Sequence, residues 1–212
     1  MNYKRQSELP YPQPWEWIKD NIDFYGDDLF FVDIGAHDGI DCSNTAFFEM
    51  NLGWNGICIE PHPDVYLKLE ENRKCIKYNC CISDKEGECD FLVISGYSEM
   101  LSGIYSEYDQ KHIDRIEKEI NLHGGSKKNV KIKSRNLNNI LNENNIKKVD
   151  YLSVDTEGSE FNIIKSIDFS KTDISIISVE NNGYNNFVRE YLENNGYQFL
   201  TKCCCDEIYC KK

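Results

Sequence analysis

One stretch constrains this chain more than any other: Phe30-Phe31-Val32-Asp33-Ile34-Gly35-Ala36-His37-Asp38-Gly39. An apolar run of β-forming residues ends in an acid, a glycine-punctuated turn follows, and the next residues can open a helix. A Rossmann-like sheet begins this way, turning backbone N–H groups toward a nucleotide-like ligand. Twenty-one residues past Gly39, the run Gly56-Ile57-Cys58-Ile59-Glu60 also ends in an acid. A carboxylate at the tip of a second strand suits a ribose diol. Two acids at successive strand tips imply a bound nucleoside.

The 212 residues, 40% apolar and 12% aromatic, are expected to form a single domain with a real core, residues 1–27 being a helical lead. No apolar run approaches the roughly 20 residues that span a bilayer. The polar stretch Met1 to Pro14 lacks the apolar core of a secretory signal, so the expected location is the cytoplasm. Lys and Arg total 24 against 36 Asp and Glu, a net charge of −12 that repels phosphate backbones and anionic membranes. A basic run (Lys127, Lys128, Lys131, Lys133, Arg135) reads as a solvated loop and strand edge. The ten cysteines are read as reduced thiols; Cys203, Cys204, Cys205 and Cys210 are dense but lack the C-x-x-C spacing of a zinc site.

Along the chain, Trp15 to Phe24 reads as an amphipathic helix, Leu29 to Ile34 as a buried strand and Ser43 to Leu52 as a helix capped by Ser43 or Asn44. A strand (Gly56–Glu60), a helix from Pro63 or Asp64 to Asn72, and a strand (Cys75–Ile82) follow. Glu88–Ile94 and Val130–Ser134 read as extra strands around a polar insertion, residues 95–129, with a helix from Glu107 to Leu122. Such an insertion beside a nucleotide site is a place for substrate contacts. Then come a helix (Leu137–Asn144), a strand (Val149–Asp155), a helix (Glu157–Ile167) and a strand (Ile174–Glu180). A helix (Tyr184–Glu193), a strand (Tyr197–Lys202) and a short pairing segment (Ile208–Cys210) close the chain. Alternating strands and helices imply a mostly parallel α/β sheet that binds its ligand outside the carboxyl ends of the strands. Asp33, Glu60, Asp155 and Glu180 are the acids at those ends.

The nucleoside can be narrowed. The turn reads Gly35-x-x-x-Gly39 without the third glycine of a dinucleotide fingerprint, and Asp33 and Asp38 put negative charge where a pyrophosphate would sit. No Walker A loop is present. S-adenosylmethionine, with a ribose diol, an ammonium and a sulfonium, suits such an acidic setting.

The run from Phe31 to Gly39 followed by Ser43-Asn44-Thr45 resembles the FkbM-type methyltransferase family. So do the segments Gly53 to Pro63, Ser102-Gly103-Ile104 and Asp150-Tyr151-Leu152-Ser153-Val154-Asp155-Thr156-Glu157-Gly158-Ser159-Glu160. The resemblance covers about residues 28–183. It implies a Rossmann-like class I methyltransferase fold: an α/β, mostly parallel seven-stranded sheet with helices on both faces and an inserted segment. It also implies S-adenosylmethionine as methyl donor and a hydroxyl acceptor on a sugar, glycan or related small molecule. Carried over residue by residue, Asp33, Gly35 and Gly39 would form the methionine-side loop, with Ala36, His37 and Thr45 in the same cofactor-binding set. Glu60, next to Pro61, would take the ribose hydroxyls, Cys81, Ile82 and Ser83 would flank the adenine, and Asp155 would sit near the transferred methyl.

Methyl transfer to an alkyl hydroxyl needs help with the acceptor proton, from a base or a metal ion. Asp155 with the pair Glu180-Asn181 looks like the magnesium ligand set of catechol-type O-methyltransferases, and oxygen-only ligands suit Mg2+. Asp155, Glu157 and His37 are the candidate bases; Glu157 and Glu160 also read as first-turn acids favoured by a helix dipole. Tyr97, Tyr105, Tyr108 and Tyr184 are candidate walls of a sugar pocket, and His62 a neighbour of the adenosine. His112 and His123 read as plain surface residues. Two other functions compete. An RNA ribose or cap methyltransferase is disfavoured by the acidic charge and the missing Lys-Asp-Lys-Glu set, and a catalytically inactive binding module by the intact strand-tip acids. The expected partners are a small-molecule or glycan hydroxyl acceptor and a second copy of this chain, not nucleic acid or membrane.

Overall fold

The computed structural model describes residues 12–182 and 186–212. The chain runs α1 (Pro14–Asn21), β1 (Phe30–Ile34), α2 (Ala46–Leu52), β2 (Asn55–Ile59), α3 (Pro63–Asn72) and β3 (Ile76–Tyr78). An inserted unit follows: β4 (Cys81–Ile82), β5 (Gly87–Ser95), β6 (Gly103–Ile104), α4 (Gln110–His123) and β7 (Ser126–Arg135). The chain then continues α5 (Leu137–Glu143), β8 (Lys148–Val154), α6 (Glu160–Ser166), β9 (Asp173–Glu180), α7 (Phe187–Asn194), β10 (Tyr197–Cys203) and β11 (Asp206–Lys211). No helix among the described residues is long and apolar enough to cross a membrane.

The main sheet has seven strands in the order β10-β11-β9-β8-β1-β2-β3. β3, β2, β1, β8 and β9 are parallel neighbours, while β11 runs against both β9 and β10. This is the α/β class I methyltransferase architecture. Parallel strands covered on both faces read as unbroken apolar runs, and β8 is buried at six of its seven positions. One face packs Val32, Ile34, Ile57, Leu152 and Val154 against Leu137, Ile140, Ile163 and Leu192 from α5, α6 and α7. The other packs Phe31, Cys58 and Tyr151 against Ile18, Phe48 and Leu69 from α1, α2 and α3. Strand alternation therefore turns Asp33, two residues from Phe31, toward α2 and α3. Local chemistry sets the helix ends. α2 stops at Gly53, whose φ of 74° is left-handed, and α3 starts on Pro63 with His62 Nδ1 accepting the Val65 N–H at 3.3 Å.

The chain leaves β1 in one direction to β2 and β3, then crosses the sheet to β8 and β9. The switch point lies between β1 and β8, and there the crevice opens.

The insertion is larger than residues 95–129. β5 and β7 pair from Gly87↔Ser134 to Ser95↔Ser126 in a second, four-stranded sheet ordered β4-β7-β5-β6, so the unit runs over residues 81–135. Leu92, Ile94, Leu101 and Ile116 of α4 form its core. The expected strand Cys75–Ile82 is two strands in two sheets. Asn79 breaks it, because its side-chain amide donates to the carbonyls of Glu60 (2.8 Å) and Pro61 (3.1 Å), and Cys81-Ile82 then pairs with Ser134-Arg135. The expected helix start at Tyr184 lies outside the described residues; α7 begins at Phe187. Within the basic run, Lys127 pairs with Glu117, Lys131 with Asp90, and Arg135 with Glu86 and Glu143.

Candidate active site

The turn after β1 is held by its backbone. Gly35 and Ala36 donate to the Ile59 carbonyl at 2.9 and 3.1 Å, and Asp155 N donates to the Ile34 carbonyl at 3.0 Å. Gly35 has φ 87°, and a Cβ there would lie 1.7 Å from the Asp155 carbonyl oxygen. Only glycine lets the β1 and β8 tips approach this closely. His37 follows in the left-handed region at φ 49°, and Asp38 Oδ1 accepts the Ile40 and Asp41 N–H groups at 2.9 and 2.8 Å.

Beneath the turn lies an element the sequence did not reveal. Arg73, at the end of α3, has a fully buried side chain. It donates to Glu49 (2.6 Å), the Gly39 carbonyl (3.0 Å), Ser43 (3.1 Å) and Thr45 (3.1 Å). Asp33 joins this group, accepting from Thr45 at 2.6 Å and Ser43 at 3.3 Å. Burial raises its carboxyl above the usual range, against the pull of Thr45, Arg73 and Ser43. Asp33 and Thr45 thus lie in a buried polar network beneath the loop, with alternation in β1 pointing Asp33 at α2 and α3, and Ala36 and Gly39 are not among the residues that line the cleft above.

Above the turn is an open cleft of about 790 Å³, mouth included, lined by Gly35, His37, Glu60, Pro61, Cys81, Ile82 and Asp155 among others. Glu60 is oriented by two N–H groups, from His37 to Oε2 (2.9 Å) and from His62 to Oε1 (2.7 Å). Burial pushes its carboxyl up to about 7, opposed by these hydrogen bonds and by His37. An apolar bay of Ile59, Val65, Cys80, Ile82 and Phe91 adjoins it. His62 also lines the cleft, its Nε2 on the Ile94 carbonyl at 3.1 Å. Both His37 ring nitrogens are buried without a hydrogen-bond partner. They face Asp38 at 3.7 Å and Glu99 at 3.6 Å instead. A carboxylate ready for a diol and an apolar bay for a base fit a nucleoside. Ser83 is not part of this wall: its hydroxyl bonds with Ser134 (2.7 Å) and the Lys85 carbonyl (3.0 Å), because β4 turns into the inserted sheet.

A second, polar cleft meets the first at Glu157, the residue lining both. Tyr108, His112 and Arg115 from the insertion face Glu157, Glu160, Glu180, Asn181 and Asn182 across it. Glu157 was expected in the first turn of a helix. It lies outside, at φ 58° next to Gly158 at φ 124°, and α6 starts only at Glu160. That turn swings Glu157 back onto the strand tips, where Asp155, Glu157 and Glu180 each bring an oxygen within 4.8 Å of the others. The expected third member, Asn181, lines the polar cleft beside the trio, its backbone N–H bonded to the Cys205 carbonyl at 2.9 Å. Burial with Glu180 and Asp206 alongside pushes Asp155 well up, and burial with neighbouring carboxylates brings Glu157 and Glu180 to about 8. Glu160 is occupied, accepting the Thr156 and Gly158 N–H groups at 2.8 and 3.0 Å. His112 Nδ1 is 3.7 Å from Glu157, and Arg115 is held by Glu119 at 2.9 Å. His112 is thus a cleft residue rather than a plain surface one. His112 and Arg115, three apart on one face of α4, were a legible signal; Arg73 had none. His37, also a candidate base, lines the first cleft and not the polar one. Of the candidate aromatics, Tyr108 lines the polar cleft, Tyr97 stacks on His123 at the exposed surface, Tyr105 lies on another groove, and Tyr184 is outside the described residues.

The sheet and its crevice have the class I methyltransferase fold. The methyltransferase FkbM domain model matches residues 33–199, and the chain belongs to that family. The crystal structure of methyltransferase FkbM from Methylobacillus flagellatus KT superposes with a TM-score of 0.56 at 12% identity, covering 94% of this chain and 48% of that one. The chain thus spans about half the length of that structure. The precorrin-6y C5,15-methyltransferase from Geobacter metallireducens GS-15 is matched at a TM-score of 0.42 and 11% identity, over 87% of this chain and 78% of that one. No curated protein matches the chain.

Proposed function

We propose that the protein is an S-adenosylmethionine-dependent O-methyltransferase acting on a hydroxyl of a sugar, glycan or related small molecule. The observation that carries this reading is the seam at Glu157, where a nucleoside-shaped cleft opens into a polar one. The cofactor, when bound, supplies a methyl group activated by its sulfonium. In the first cleft, Glu60 holds the ribose hydroxyls while Pro61, Cys81 and Ile82 enclose the base. Asp155 closes the floor with a carboxyl oxygen toward the cationic centre. In the second, the face of Tyr108 and the polar groups of His112, Asn182 and Glu157 suit a polyhydroxylated ring. Glu157 Oε2, buried and without a hydrogen-bond partner, takes the acceptor's proton. The trio Asp155, Glu157 and Glu180 is also an oxygen-only donor set for Mg2+, which would acidify the acceptor hydroxyl. The net charge of −12 and the acidic floor weigh against a polyanionic acceptor. The ten cysteines, read as reduced thiols, support work in the reducing cytoplasm.

The test is isothermal titration with S-adenosylhomocysteine, then incubation with S-adenosylmethionine and a panel of sugars and glycosides, following the demethylated product. Micromolar binding and sugar-dependent turnover are expected. No binding at millimolar ligand refutes the cofactor, and turnover on amines alone refutes the O-methyl assignment.

A further inference from the structure

We propose that the acceptor is an acidic sugar, a ring bearing one carboxylate, and that Lys111 and Arg115 on α4 read this carboxylate while a hydroxyl of the same ring meets Glu157. The inference rests on the methyltransferase reading above and names the acceptor class within it. The polar cleft, about 1140 Å³ with its mouth, is divided by charge. Glu157, Glu160 and Glu180 stand on the strand-end wall, and Lys111, His112 and Arg115 on the α4 wall. The first cleft has no lysine or arginine in its lining, so these cations belong to the acceptor side alone. They are open to a ligand. Arg115 hydrogen-bonds through Nε, to Glu119, and both terminal nitrogens of its fork are without a hydrogen bond among the described residues. Lys111 Nζ has neither an ion pair nor a hydrogen bond among them.

The helix sets their spacing. Ile116 turns another side of α4 into the insertion's core, and positions 111 and 115, four apart, project together on the cleft side. His112 stands beside them, its Nδ1 3.7 Å from Glu157 Oε2. Three residues of helix rise about 4.5 Å, so Arg115 sits nearly one turn along from the acid that faces the hydroxyl. One sugar ring spans that gap, with a hydroxyl at one end and a carboxylate at the other. A planar guanidinium matches a carboxylate through two parallel hydrogen bonds, and the neighbouring ammonium adds a point charge. The acids supply the orientation. Glu157 and Glu180 repel a carboxylate from the floor while the two cations hold it at the rim, so the ring enters hydroxyl first. A neutral sugar would leave both cations facing water, and an amino sugar would be drawn in the wrong way round. A single carboxylate also suits a chain of net charge −12, where a polyanion does not.

The experiment measures kcat/KM with S-adenosylmethionine on matched pairs, glucuronate with glucuronamide and galacturonate with galacturonamide, which differ only in the charge of one group. Glucose 6-phosphate is a further arm. An acid should exceed its amide about tenfold or more, the range of charge-assisted hydrogen bonds, and chiefly through KM. Arg115→Gln and Lys111→Gln should each cut that ratio by about threefold, the range of a half-exposed ion pair, and Arg115→Lys should retain more of it than Arg115→Gln. The wild-type ratio decides the matter even if a variant fails to fold. Amides equal to or better than the acids, turnover of neutral sugars alone, or a ratio unchanged by both glutamine variants overturns the proposal, as does a preference for the sugar phosphate over both acids. Each of these leaves the methyltransferase reading standing. S-adenosylhomocysteine binding without turnover of any sugar acid overturns the acidic acceptor alone, and no binding of S-adenosylhomocysteine overturns the cofactor reading with it.

Discussion

Replacing Arg73 by methionine removes the cation beneath the cofactor loop while keeping much of the volume. The guanidinium is fully buried and makes charged or polar contacts with Glu49, Gly39, Ser43 and Thr45, and it lies 5.3 Å from the centre of the Phe31 ring. Removing one partner of a buried ion pair costs about 3–5 kcal/mol, because the other charge stays behind. At roughly 2–4 °C per kcal/mol for a chain of this size, the unfolding midpoint should fall by about 6–20 °C at pH 7. The pH dependence gives a sharper check. Burial raises the Glu49 carboxyl, but Arg73 and two N–H donors pull it below its usual value. A depressed acid contributes stability above its unfolded value of about 4.3 and loses it as pH falls through the folded one. Asp33, raised by burial, loses its nearby cation in the variant and so becomes costlier to ionise at neutral pH. Both effects shrink once the carboxyls are protonated, so the penalty should be largest at pH 7 and smaller below about pH 4. Thermal melts followed by circular dichroism at both pH values measure it. A midpoint within about 2 °C of wild type at pH 7, or an equal penalty at both pH values, would refute this account of the loop.

Three further outcomes are expected. Gly35→Ala places a methyl 1.7 Å from the Asp155 carbonyl at a φ of 87°, so it should cost about 3 kcal/mol or more and abolish nucleoside binding; melting and titration like wild type would contradict this. Glu60→Gln should weaken S-adenosylhomocysteine binding about tenfold at pH 8. Because burial lifts Glu60 to about 7 and its ionised form accepts the ribose hydroxyls, wild-type affinity should rise between about pH 6 and 8 while the variant's stays flat. Glu180→Gln removes one of three crowded carboxylates and should raise the apo melting midpoint by about 3 °C, roughly 1 kcal/mol; Mg2+ should stabilise wild type and not this variant.

The strands were legible because the central ones are apolar on both faces and end in acids. Leu29–Ile34, Val149–Asp155 and Ile174–Glu180 need no partner to announce themselves, and the glycines after β1 mark a turn for local steric reasons. The insertion's helix and first long strand were visible too, but only the half Val130–Ser134 of β7 (Ser126–Arg135) was. The split at Asn79 was hidden, because Cys75 to Ile82 is one apolar run and only the amide's reach to the Glu60 and Pro61 carbonyls divides it. Ser83 lies off the cleft wall because β4 turns into the inserted sheet. Glu157 was misread as a helix-opening acid because a non-glycine residue at positive φ leaves no mark in the pattern.

From residue order alone came the parallel α/β sheet, the crevice at its switch point and the carboxylates at its strand ends, since periodicity and turn chemistry act over a few neighbouring residues. Which acids line the crevice and which brace the loop was decided only by packing. Alternation in β1 turns Asp33 inward, a guanidinium arriving from α3 neutralises it, and a left-handed turn returns Glu157 to the strand ends. Those choices depend on burial and charge between segments far apart in sequence, and only the folded chain brings such segments together.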